Sequence, residues 1–251
     1  MKAIVIGAGR GRRLMPTTAE EPKCFAEVAG RRILDWIVDA FASAGVSDVC
    51  FIGGYQIDKV RRDCPHFTFR HNRDWPDNNI LVSLMHAEDQ MDGPFICCYS
   101  DILFTPGVVR RLLASREDIS LVVDTNWLRR YAHRTDHPPD DAEKVTVRDG
   151  RVTRIHRAID PHQAHGEYIG MAKFSPEGAA TLREHYHRCR AEYAGRRWRE
   201  AVRFEKAYLI QLFQEMIERG VPLAHVDTPG EYMEIDTQQD FDLARRDWRP
   251  N

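Results

Sequence analysis

Along the first half of the chain, short apolar runs alternate with longer stretches of helical spacing. Lys2–Ile6, Val49–Gly53, Phe67–His71, Phe95–Tyr99 and Ser120–Asp124 have the length and patterning of strands. Between them, Ile33–Ala44 places Ile33, Ile37, Ala40, Phe41 and Ala44 on one helical face. Asn79–Gln90 repeats apolar residues at the same spacing, and Pro106–Ala114 opens with a proline suited to a first turn. Strands alternating with helices predict a largely parallel sheet covered on both faces.

After Asp124 the rhythm changes. "EKVTVRDGRVTRIHR" reads as two short strands joined at Asp149-Gly150, a strong hairpin signal. "GEYIGMAKFS" is a further strand, Pro176–Glu192 a helix, and "AYLIQLFQEMIERG" an amphipathic helix closed by Gly220. The chain ends with strand-like "PLAHVD" and "EYMEID", then a helix over Thr237–Asp247. No repeat, low-complexity tract or linker divides it. The pattern predicts one α/β domain over residues 1–251, with an antiparallel insertion near 125–170.

Composition narrows the class. With 43% hydrophobic and 29% charged residues, the 251-residue chain can bury a sizeable core and is too apolar for disorder. A net charge of -2 gives no electrostatic case for nucleic acid or an anionic membrane. No apolar run approaches a bilayer span, and glycine and arginine between Gly7 and Arg13 interrupt what could have been a signal peptide. The six cysteines include no C-x-x-C, and Cys97 and Cys98 are adjacent in a predicted strand, so reduced thiols in a cytoplasm are expected. His185 and His187 lie two apart on a predicted helix and face different ways, and the remaining histidines form no metal motif. The basic run "RRWREAVRFEK", broken by Glu200 and Glu205, reads as an exposed helix or mobile lid rather than a nucleic-acid arm.

The candidate chemistry begins at "GAGRGRRLMPTTAEEPKC", Gly7 to Cys24, which follows the first strand. A glycine-rich turn there brings backbone amides close to a ligand, often phosphate. It is not G-x-G-x-x-G, because Arg12 stands where the third glycine would pack. Nor is it a Walker A loop, since Lys23 follows a proline and no Ser or Thr follows it. Pro16 and Pro22 oppose a helix starting from the glycines, so the loop wanders and Arg13 and Lys23 can reach inward from different points. Glycines and arginines alone fit a plain solvated turn equally well. Asp101 ends the strand "PFICCYSD" and Asp236 ends "EYMEID". Two such carboxylates could hold a divalent ion, although each could also serve as a turn former or helix cap.

Taken whole, "AGRGRRLMPTTAEEPK" resembles the signature loop of the nucleotidyltransferases that join NTPs to phosphorylated sugars and alcohols. Gly9, Gly11, Pro16, Thr18, Pro22 and Lys23 match, Arg13-Leu14 supplies its arginine-leucine pair, and Ile6-Gly7-Ala8-Gly9 replaces the usual L-A-A-G. "SDILF" and "EYMEIDTQQDF" resemble the metal-binding segments of that family. "NNILVSLMHAED", "AEKVTVRDGRVTRI" and "GEYIGMAKFS" resemble the branch acting on phosphocholine, 2-aminoethylphosphonate or similar small acceptors.

The resemblance implies a Rossmann-like, mixed but mainly parallel sheet of the nucleotide-diphospho-sugar transferase type, flanked by helices and carrying a small antiparallel insertion on the acceptor side. It implies a cytidylyltransferase using CTP. Ala8, Gly9 and Gly11 would cradle the triphosphate, Arg13 and Lys23 would act on it, and Asn79 and Ser83 would border the base. Asp101 and Asp236 would hold one or two Mg²⁺ ions. For the acceptor, a small phosphorylated or phosphonate alcohol or amine, the candidates are Tyr131, Lys144, Arg157, Glu167 and Tyr168. Trp127, Lys173, Trp198 and Tyr232 are further options. A sugar-1-phosphate or inositol-phosphate nucleotidylyltransferase and a non-catalytic nucleotide sensor remain alternatives, and a homodimer is left open.

Overall fold

The computed structural model describes residues 1–249. Strand β1 (Lys2–Gly7) runs into the glycine-rich loop, a two-stranded ribbon of β2 (Glu27–Val28) and β3 (Arg31–Arg32), and helix α1 (Ile33–Ala42). Next come β4 (Asp48–Gly53), α2 (Ile57–Asp63), β5 (Thr68–His71) and α3 (Ile80–Met85). β6 (Phe95–Tyr99), β7 (Ile102–Phe104), α4 (Pro106–Ala114) and β8 (Ile119–Asp124) complete the first half. The second half holds α5 (Trp127–Tyr131), β9 (Lys144–Arg148), β10 (Arg151–Ile155), β11 (Gly166–Phe174) and α6 (Pro176–Tyr193). It ends with α7 (Leu209–Glu218), β12 (Ala224–Thr228), β13 (Tyr232–Glu234) and α8 (Gln238–Asp247).

Nine strands form the central sheet in the order β5-β4-β1-β6-β11-β8-β12-β10-β9. β10 and β11 run against the rest, which makes the sheet mixed, as expected. The β9–β10 hairpin turns at Asp149 and Gly150, both with positive φ, as the sequence predicts. Rather than forming a separate layer, it extends the sheet edge, and β9 also pairs with the start of β11. β1 shows how the sheet builds two cores. Ile4 and Ile6 join the cluster under α3, α6 and α7, while Ala3 and Val5 join the one under α1, α4 and α8.

Local chemistry sets the helix ends. Pro106 opens α4, the Ser175 hydroxyl accepts from Gly178 N–H, and Thr237 with Asp240 forms a capping box on α8. The predicted helix over Asn79–Gln90 stops at Met85 and resumes only as a tight turn over Glu88–Gln90. The basic run is neither an exposed helix nor a free lid. Trp198, Ala201 and Phe204 are buried in the core, and Arg199 pairs with Glu215 and Glu218 on α7. All six cysteines are unpaired. No helix among the described residues is long and apolar enough to cross a membrane.

Candidate active site

The small β7–β13 ribbon builds the centre of the site. Ile102 pairs with Glu234, Leu103 with Met233 and Phe104 with Tyr232, and Ile235 N–H donates to the Asp101 carbonyl at 2.9 Å. Asp101, just before β7, and Asp236, just after β13, therefore emerge at the same open end. Lys23, at the start of a tight turn over Lys23–Phe25, enters between them. Its Nζ donates to Asp101 Oδ2 at 2.7 Å and to Asp236 Oδ1 at 2.8 Å. Arg13 also pairs with Asp236. Four groups spread over more than two hundred residues thus converge on one point.

The loop conformation that permits this depends on Gly11. It has φ +67°, and a Cβ there would press on the Lys23 stem at 3.0–3.1 Å. Thr18 Oγ1 donates to the Gly11 carbonyl at 2.8 Å and folds the loop back on itself. Among the described residues, the N–H groups of Gly9, Arg10 and Gly11 donate to no acceptor in the chain, and Gly9 and Gly11 border the same cavity as Lys23. Gly7 is required on steric grounds. A side chain there would strike the Phe51 ring and Ser100 Oγ.

Burial opposes the Lys23 charge, but Asp101 and Asp236 outweigh it and hold its pKa above the ordinary lysine value. Burial likewise works against ionised Asp236, yet Lys23 and Arg13 bring it down to about 2. Asp240 supports this arrangement from behind. Its carboxylate accepts from the N–H groups of Asp236 (3.2 Å) and Thr237 (2.9 Å), and from Arg134 Nε at 2.7 Å. Burial pushes the pKa of Glu234 up to about 7, with Asp236 adding to the effect, and that of Glu143 also up to about 7, against the pull of Arg157.

Lys23, Asp101, Asp236, Glu234 and Glu143 line one cavity of about 620 Å³. Ala8, Gly9, Gly11, Arg13, Lys23, Asn79, Ser83, Asp101, Asp236, Arg157, Glu167 and Tyr168, all singled out from sequence, border it. The Asn79 amide is largely engaged elsewhere: Oδ1 caps α3 through Ile80 N–H at 2.8 Å, and Nδ2 donates to the Lys206 carbonyl at 3.2 Å. Ser83 Oγ accepts from Asn72 Nδ2 at 2.9 Å.

Two acceptor candidates do not reach the cavity. Tyr131 is buried beside Trp127 and donates to Glu167 Oε1 at 2.6 Å, so it supports a lining residue from behind. Lys144 is buried with its Nζ donating to the Pro139 and Ala142 carbonyls. Trp127, Lys173 and Trp198 are also outside it. Trp127 packs in that satellite cluster, Lys173 donates to the Ser115 carbonyl, and Trp198 lies in the core. Trp75, Tyr99, His137, Glu143, Tyr208 and Glu234 line the cavity without having been expected there. Glu234 carried a signal, since it lies two residues before Asp236 at the end of a strand. His137, on a proline-rich loop, carried none.

Hard carboxylate oxygens suit a magnesium ion, and Asp101 and Asp236 turn oxygens toward a common point that Lys23 Nζ now serves. The donor set therefore fits such an ion. His137 and Glu234 approach Asp236 as well, but Arg134 and Arg13 crowd that side with positive charge.

Comparison with known proteins agrees with this geometry. Residues 3–204 match the MobA-like NTP transferase domain. A CTP:phosphoglutamine cytidylyltransferase from Campylobacter jejuni is 26% identical, over 97% of this chain and 98% of its own. The UTP–glucose-1-phosphate uridylyltransferase AglF of Haloferax volcanii is 30% identical over 70% of this chain and 72% of its own. The inositol-1-phosphate CTP transferase from T. maritima shares the fold with a TM-score of 0.74 at 21% identity, covering 97% of this chain and 94% of that one. With its mixed α/β sheet and the family model covering residues 3–204, the chain belongs to the MobA-like NTP transferase family.

Proposed function

We propose that this protein transfers CMP from CTP to a small phosphorylated or phosphonate acceptor. The observation that carries the reading is the position of Lys23 Nζ between Asp101 and Asp236, beside the free amides of the glycine loop. A phosphate or phosphonate oxygen of the acceptor attacks the α-phosphorus of CTP in line. The bond from the α-phosphorus to the bridging oxygen breaks, and pyrophosphate leaves with the electron pair. The attacking oxygen is already anionic at neutral pH, so no general base is required, and catalysis rests on positioning and charge neutralisation. Lys23 leaves the carboxylates to stabilise the α-phosphoryl group, and Arg13 neutralises the outer phosphates. Asp101 and Asp236 would hold Mg²⁺, which supplies further neutralisation of the triphosphate when bound.

The acceptor half of the cavity carries Glu143, Arg157 and Glu167 among Tyr99, Tyr168 and Tyr208. Arg157 lies over the Tyr208 ring at 4.1 Å. Carboxylates and a guanidinium side by side suit an acceptor bearing both charges, such as a phosphorylated amino acid or amino alcohol, better than a neutral sugar. The C. jejuni relative named for phosphoglutamine supports this choice. Similarity to AglF favours a second reading, transfer to a sugar-1-phosphate.

Pyrophosphate release with Mg²⁺ tests both. Four NTPs are crossed with phosphoglutamine, phosphocholine, 2-aminoethylphosphonate, inositol phosphate and glucose-1-phosphate. Release with CTP and a charged amino acceptor is expected. Release only with a sugar phosphate would move the acceptor to the second reading. CTP binding with no release from any pair would favour a nucleotide sensor.

A further inference from the structure

Two histidines and an aspartate outside the cavity form a second convergence of ligand-type groups. His225 and Asp227 alternate on β12 and so point to the same side of the sheet. His165, just before β11, is fixed by its N–H, which donates to the Val145 carbonyl at 2.8 Å. Its Nε2 lies 2.9 Å from Asp227 Oδ2, and His225 Nδ1 lies 2.7 Å from Asp227 Oδ1. One ligand atom from each residue falls within 4.8 Å of the other two. None of the three lines the proposed catalytic cavity.

We propose that His165, His225 and Asp227 form a binding site for a divalent transition ion of the zinc class. Two imidazoles and one carboxylate are the donor set such ions prefer, whereas magnesium and calcium favour oxygen alone. Ligands about 2.0–2.1 Å from a tetrahedral ion stand roughly 3.3 Å apart. The contacts to Asp227 need to open by only about half an ångström to reach that spacing, a small side-chain adjustment. Solvent completes the fourth position, since His165 and Asp227 are about one-third exposed, at 33% and 38%.

The electrostatic setting separates this cluster from His137, Glu234 and Asp236, the other such group among the described residues. There, Arg13, Lys23 and Arg134 already neutralise the carboxylates. Asp227, by contrast, has no lysine or arginine partner among the described residues and pairs only with the two imidazoles. The backbone is rigid as well. β8 pairs with both β11 and β12, with Val123 opposite Tyr168 on one side and Asp227 on the other. An ion held here ties the start of β11 to β12 across the end of β8.

The test is zinc titration of chelator-stripped protein against a competing chromophoric chelator, repeated with Co²⁺ to read visible d–d absorption. Wild type and His137→Ala should each bind an equivalent at this site, which removes the catalytic cluster as its source. His225→Ala and Asp227→Asn should weaken that equivalent by more than about 100-fold, beyond the loss that removing a merely supporting group causes. His165→Gln, altered at a partly exposed position outside the strands, deletes a third ligand independently. Zinc should raise the Tm of wild type and not of these three variants. Binding unchanged in them, loss of the equivalent in His137→Ala, or no competition by wild type overturns the proposal.

Discussion

Replacing Lys23 with alanine probes the centre of the proposed mechanism, because one ammonium serves two carboxylates at 2.7 and 2.8 Å. Removing one partner of a fully buried ion pair costs about 3–5 kcal/mol. Here Asp236 keeps Arg13, and the Asp101 and Asp236 side chains are 25% and 16% exposed. The expected loss is therefore smaller, about 1–3 kcal/mol, or roughly 2–4 °C in Tm for each kcal/mol in a chain of this size. Turnover should fall much further. Loss of one preorganised donor to a developing charge lowers kcat by about 10²–10³-fold. The assay is pyrophosphate release at saturating CTP and Mg²⁺, with thermal unfolding measured on the same preparations. Lys23→Met keeps the stem that packs on Gly11 and removes only the charge, so it should lose turnover with a smaller change in Tm. A folded Lys23→Ala or Lys23→Met variant turning over within tenfold of wild type would refute the role given to the ammonium.

Two further outcomes follow from the acceptor half. Gly170 has φ +79° within the irregular part of β11, and a Cβ there would overlap the Tyr99 ring that lines the cavity. Gly170→Ala should lose about 1–2 kcal/mol from backbone strain alone and raise the acceptor KM more than the CTP KM, and an unchanged Tm contradicts the account. Glu143 titrates near 7 in the folded protein against an ordinary value of 4.5. The native state therefore holds the extra proton, and stability is lost as pH rises from about 4.5 to about 7. Glu143→Gln should flatten that decline in Tm measured across pH, and an identical slope in the variant would show that Glu143 does not carry it.

The strongly periodic elements were legible because their residues answer to local rules. Phe95–Tyr99 and Pro106–Ala114 form where the pattern places them, and Asp149-Gly150 turns the hairpin. Elements fixed by distant partners were not. β7 is only three residues long and exists because β13 pairs with it, and α5 is a five-residue helix whose Trp127 and Tyr131 pack in a satellite cluster. The glycine-loop side of the cavity was readable since its residues crowd into one loop with unusual glycine, proline and lysine spacing. Elsewhere in the cavity, Glu143, Tyr208 and His137 come from separate segments, and nothing local distinguishes them from surface or core residues. Lys144 shows the opposite error. A lysine beside a hairpin looked available for a ligand, yet two backbone carbonyls hold its ammonium.

The ion pairs around Lys23 bear on the proposed transfer. Lys23 and Arg13 face Asp101 and Asp236, Arg134 faces Glu234 and Asp240, and His137 lies between the two sets. On the proposed reading a triphosphate adds several negative charges there, and Lys23, the cation proposed to meet its α-phosphoryl group, is already shared by two carboxylates. Should Lys23 turn to the phosphate with nothing replacing it, Asp101 would be left partly buried and uncompensated and Asp236 with Arg13 alone, an unfavourable state. On the proposed reading, Asp101 and Asp236 give up the ammonium to the phosphate and would hold a divalent ion, which would supply the lost positive charge. The rigid β7–β13 ribbon makes such an exchange inexpensive, since it holds both carboxylates in place whichever cation lies between them. Asp240, bound to the backbone at Asp236 and Thr237 and to Arg134, keeps that end of the ribbon from relaxing while the exchange occurs.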